Sequence, residues 1–124
     1  MIRVLLVALG GSIGSVARYW ASGVVQNFFD LEIPLGTLAV NLVGSFLIGV
    51  ILSSSLERGV PGPEGRVFLA VGFCGGFTTM STLSYETLAL LRGGSIAVGV
   101  ANVLGTILLC LAAAWLGDAV ARLI

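Results

Sequence analysis

The chain has 124 residues, 57 % of them hydrophobic and 10 % charged, with six basic side chains balanced by six acidic ones. That length suits one domain, 1–124, and that composition lies outside the soluble range. Zero formal charge argues against a nucleic-acid partner, and the absence of histidine leaves few ligands for a transition-metal site. Cys74 and Cys110 share no close spacing and read as small buried hydrophobes. No nucleophile–base constellation is visible, so an enzyme is not expected. The class that remains is an all-α integral membrane protein in a lipid bilayer.

Four apolar segments each approach the roughly 20 residues that a bilayer span needs. The first covers 4–29, and it lacks the small-residue cleavage signal of a removed leader. The others cover 35–52, 67–91 and 95–116, giving four transmembrane helices with both termini on one side. Asp30 to Pro34 closes the first span, Glu57 to Arg66 forms the longest loop, and Arg92-Gly93-Gly94 turns the chain into the last span. Arginine placement biases orientation only weakly: Arg3, Arg58, Arg66 and Arg122 lie near the terminal side, against Arg92 and Arg18 on the other. Such a chain could insert both ways round. Gly10-x-x-x-Gly14, Gly11-x-x-x-Ser15, Ser45-x-x-x-Gly49 and Gly72-x-x-x-Gly76 put small residues above one another and predict close helix crossings.

Within the first span Arg18 is costly, and either faces protein and water or snorkels beside Tyr19 and Trp20. Within the second, Asn41 either bonds helix to helix or offers its amide donors to a passing anion. Asn102 in the fourth span is expected to bond helix to helix.

The third span carries the densest signal. Gly75-Gly76 loosens the helical ladder, and hydroxyls follow at Thr78, Thr79, Ser81, Thr82 and Ser84. We expect the helix to break at the glycine pair and to restart near Thr78. A continuing helix would align Thr78, Thr82 and Glu86 on one face. The restarted helix would offer free N–H groups to an anion, and the carbonyls freed before it suit a small hard cation. Thr106 and Cys110, four apart on the last span, either extend a weakly polar track or simply pack.

Three motifs then stand together: Gly10-Gly11-x-x-Gly14-x-x-x-Arg18-Tyr19, Gly36-Thr37-x-x-x-Asn41-x-x-Gly44, and Gly72-Phe73-Cys74-Gly75-Gly76-Phe77-Thr78-Thr79. They resemble the Fluc (CrcB) fluoride channels across all four spans. The resemblance implies an antiparallel, dual-topology homodimer in the plasma (cell inner) membrane, with two pores giving passive export of cytoplasmic fluoride. It implies that the backbone carbonyls of Gly75 and Thr78 hold a structural sodium ion at the dimer centre. It also places Asn41 in the pore and Arg18 in a vestibule, with Ser81, Thr82, Thr106 and Cys110 at or near a polar track and Glu86 beyond the break.

One departure touches conduction. The family's usual Phe-Ser-Thr-Phe is here Met80-Ser81-Thr82-Leu83. An aromatic ring edge is electropositive and can face an anion, whereas leucine and methionine offer no donor. The departure puts the conduction rate in question, since conduction can be reduced there, and leaves the fold untouched. The competing classes are a small four-helix proton-coupled multidrug exporter and a non-transporting membrane assembly protein. The exporter needs an acid in its first span, and this one has none.

Overall fold

The computed structural model describes residues 1–124 and is helical almost throughout. Helix α1 is Ile2–Phe29, α2 is Leu35–Arg58, and α5 is Ile96–Leu123. Between them the chain forms α3, residues 63–77, and α4, Met80–Arg92. Helix α3 begins with one α turn, Pro63–Arg66, winds as a π-helix over Val67–Cys74, and closes as α-helix at Gly75–Phe77. With α3 and α4 taken as one interrupted span, Pro63–Arg92, four helices are long and apolar enough to cross a membrane. The chain is a multi-pass membrane protein.

Several helices run past the apolar stretches. Helix α2 continues through Ser53, Ser54 and Ser55 to Arg58, so the expected long loop shrinks to residues 59–62. The extension is held from α5: Ser53 donates its hydroxyl to Asp118 Oδ1, and Arg58 donates to the Ala121 carbonyl at 2.8 Å. Gly59 ends α2 at φ 70°, a left-handed conformation that suits a residue without Cβ. At the opposite end, Gln26 donates to the carbonyls of Leu31 and Ile33 and accepts from Gly36 N, fixing the α1–α2 turn.

Small residues set the crossings, as the sequence spacing predicts. A Cβ on Gly10 or Gly14 would run into the α3 backbone at Phe68 and Phe73, and one on Gly72 would meet Gly10 Cα at 3.0 Å. The α2–α5 crossing is built likewise, with Gly49 against Ala114 and Gly117 against Phe46. In lipid no hydrophobic effect drives helix to helix, so this backbone approach supplies dispersion contact instead. Asn102 donates to Thr87 Oγ1 at 3.0 Å and joins α5 to α4 through a buried polar pair. Only 20 of 124 residues are buried, which leaves long apolar faces for lipid or a second chain.

Candidate functional site

The helix does not break at the glycine pair. Gly75 has helical backbone angles, φ −62° and ψ −38°, and the helix runs on to Phe77. The interruption is Thr78 (φ −91°, ψ 158°) and Thr79 (φ −151°, ψ 118°), both extended. Gly76 serves close approach to Gly11 and Ser15 on α1, while a Cβ on Gly75 would meet open space. Thr78 therefore lies outside α4, and the predicted row of Thr78, Thr82 and Glu86 on one helix is not formed.

Two extended residues inside a membrane helix strand backbone groups that lipid cannot satisfy. Side chains from three elements replace the missing partners. Thr79 caps α4 by accepting from Thr82 N at 3.2 Å, and its hydroxyl lies 3.0 Å from Thr82 Oγ1. Asn41 of α2 accepts from Thr79 N at 2.7 Å and donates from Nδ2 to Thr79 O at 3.0 Å. Arg18 of α1 donates from Nε to Gly76 O at 3.0 Å. Thr78 donates its hydroxyl back to Cys74 O at 2.9 Å, as membrane hydroxyls often do.

Two cavities flank the interruption. One, of about 330 Å³, lies between α2, the break and α5. Asn41, Gly75, Thr78, Met80, Leu83, Thr106 and Cys110 all contribute to its wall. Sequence reasoning had not singled out Ser45 and Ile48 as wall residues, although Ser45 is marked by its small-residue spacing. The second cavity, of about 690 Å³, opens among the end of α1, the start of α2, and α4. Thr82 and Glu86 line it together with Thr37.

A polar line connects the two. Thr79 on the first cavity meets Thr82 on the second, and Asn41 and Thr37 lie four residues apart on one face of α2. Thr37 donates to Glu86 Oε1 at 2.8 Å, whereas Glu86 Oε2 is buried without a partner. Thr37 belongs to the Gly36-Thr37-x-x-x-Asn41 motif, and its place one turn before Asn41 is the sequence signal for its position here. Ser81 is exposed and lines neither cavity, and Arg18 is engaged at the helix end. Of the two positions that depart from the aromatic pattern, Met80 is 61 % exposed and Leu83 only 2 %.

The fold and this site define a class: a compact four-span membrane protein whose third span is interrupted beside a largely apolar cavity with a few hydrogen-bonding groups in its wall. A family model described as CrcB-like protein, Camphor Resistance (CrcB), matches residues 5–118. The chain is 52 % identical over 117 residues to a fluoride-specific ion channel FluC of Thermus thermophilus, covering 94 % of this chain and 93 % of that one. It is 45 % identical over 122 residues to a protein of the same name from Geotalea uraniireducens, covering 98 % of each. A third, from Geobacter metallireducens, is 46 % identical over 122 residues with the same coverage. The chain belongs to the CrcB-like family. Its relatives are named as ion channels, not as enzymes.

Proposed function

We propose that this protein is a fluoride-selective channel through which fluoride leaves the cell passively. The observation that carries the reading is the cavity at the helix break, mostly apolar but with Asn41, Thr106 and Cys110 in its wall, in a chain 52 % identical to a protein named as a fluoride-specific channel. Fluoride is small and strongly hydrated, so a pore must replace its water with other hydrogen-bond donors. Asn41 has a second Nδ2 hydrogen beyond the one given to Thr79. Thr106 and Cys110 also line this space, and each carries a hydrogen-bonding side chain. Fluoride would pass from these groups along Thr82 towards the mouth at Thr37 and Glu86. Met80 and Leu83 take the places of the ring edges, which supports slower conduction than a phenylalanine pair would give. Ser81 and Arg18 act outside the two cavities, at the rim and in the vestibule.

The working form in this reading is an antiparallel, dual-topology homodimer with two pores, in the plasma membrane. Three features support it: the low burial, the open flank of Gly75, and the exposure of Met80 in a cavity wall. The same reading places sodium at the dimer centre, on the Gly75 and Thr78 carbonyls. These residues fit that ion. Their helical partners four residues on, Thr79 N and Thr82 N, bond to side chains instead. A bare carbonyl oxygen is a hard ligand suited to a small hard cation. Sodium there would neutralise the facing carbonyl dipoles and hold the two breaks together.

The exporter reading is not favoured, because α1 holds Arg18 and no carboxylate and the relatives are named as fluoride channels. The test is growth. Cells stripped of their own fluoride export should regain growth in fluoride medium when they express this chain. Continued sensitivity with the protein present in the membrane contradicts the proposal.

A further inference from the structure

Asn41 does more at the break than line a cavity. In an uninterrupted helix the Thr79 N–H would bond to the Gly75 carbonyl. Here that N–H points to Asn41 Oδ1 at 2.7 Å, so the Gly75 oxygen stays uncovered. The same peptide unit carries the Thr78 carbonyl. In a trans peptide the N–H and C=O lie on opposite sides, so holding the Thr79 N–H against Asn41 turns the Thr78 oxygen away from α2. The second bond, from Asn41 Nδ2 to Thr79 O at 3.0 Å, fixes the next peptide plane as well. One side-chain amide thus locks two consecutive peptide units in a stretch that has no helical ladder of its own.

We infer that Asn41 is a positioning residue for the cation site: by taking the Thr79 N–H it uncovers the Gly75 carbonyl and aims the Thr78 carbonyl. The inference rests on the sodium reading above and assigns Asn41 a role towards the cation that is separate from donating to an anion. Because Asn41 also lines the donor cavity, cation occupancy and the anion pathway share one residue. Linkage then makes their coupling reciprocal. An asparagine acting only as an anion donor would leave sodium affinity unchanged on replacement.

The test is thermal unfolding of the detergent-solubilised protein, titrated with sodium chloride against N-methylglucamine chloride. The unchanged protein should gain stability with sodium concentration, as any ligand of the folded state produces. Asn41→Asp keeps an acceptor for the Thr79 N–H and should keep the sodium-dependent gain. Asn41→Leu keeps the bulk but not the acceptor, and should weaken apparent sodium affinity about tenfold, or about 1.4 kcal/mol. Sodium affinity unchanged in Asn41→Leu overturns the inference alone, whereas no sodium effect in the unchanged protein overturns the sodium reading and the inference with it. A second measurement needs no variant: hydrogen exchange at the Thr79 amide should be slow, and fast exchange between two protected helices contradicts the clamp.

Discussion

Arg18 Nε lies 3.0 Å from the carbonyl oxygen of Gly76, joining the middle of α1 to the last turn of α3. The break leaves that carbonyl without the amide that a continuing helix would bring to it. The guanidinium supplies the hydrogen bond and sets positive charge against the negative end of the α3 dipole. An arginine that looks extravagant in an apolar span is therefore part of what makes the interruption tolerable.

Removing it should show in stability first. Arg18→Leu is expected to destabilise the folded protein by about 2 kcal/mol, the scale of a charge-assisted bond plus an orphaned carbonyl. Chemical unfolding in detergent measures this. Equal stability of Arg18→Leu and the unchanged protein would show that the carbonyl finds another partner.

The glycines divide into those that admit a neighbour and those that do not. Gly14→Ala drives a methyl into the Phe73 carbonyl and should cost about 1–3 kcal/mol, since backbone cannot step aside as a flexible side chain can. Gly23, on the same helix, has nothing within 4 Å of an added Cβ. Gly23→Ala should be neutral or stabilising by up to about 1 kcal/mol, through helix propensity alone. Paired melting curves check the contrast, and equal effects would remove the α1–α3 contact as its cause.

Glu86 presents a test of the opposite sign. Its Oε1 accepts from Thr37 at 2.8 Å, but its buried Oε2 has no partner. Glu86→Gln preserves the acceptor and replaces an unsatisfied carboxylate oxygen with a neutral amide, so the melting temperature should stay level or rise. Glu86→Ala leaves the Thr37 hydroxyl unpaired and should lower it. A fall in Glu86→Gln equal to that in Glu86→Ala would mean that the charge itself is used.

Restoring the two rings should give unequal results. Met80 is 61 % exposed within one chain, so Met80→Phe disturbs none of that chain's own packing and should raise fluoride flux by adding a ring edge to the cavity wall. Leu83 is packed on nearly all sides, and Leu83→Phe should cost about 1–3 kcal/mol unless the ring swings into the adjoining cavity. Flux and melting temperature of the two single variants separate these outcomes. A loss of flux in Met80→Phe would contradict its place on the pathway.

Much of this was legible in the sequence because it depends on local composition. Four apolar runs gave the four spans, and small residues spaced by four marked helix faces for close approach, though not that α1 would meet α3 and α2 would meet α5. The position of the break was not legible. Gly75-Gly76 looked like the weak point because glycine is a poor helix former, yet that penalty is overridden where a helix must pass within backbone contact of another. Thr78 and Thr79 leave the helix because distant side chains reach the groups this exposes: Asn41, 38 residues from Thr79, and Arg18, 58 residues from Gly76. The π-helical winding of Val67–Cys74 left no mark either, for its residues are as apolar as any ordinary span. Partner side chains from distant segments decide such features, and a single sequence does not show its pairings.

Fluoride efflux from loaded liposomes, followed with a fluoride electrode and with chloride as the control anion, tests the central claim most directly. Rapid fluoride loss with chloride retained is the predicted result, and Asn41→Asp should suppress it by placing a carboxylate oxygen where a donor stood. Equal passage of both anions, or no fluoride loss from folded, reconstituted protein, would contradict a fluoride-selective pathway through this break.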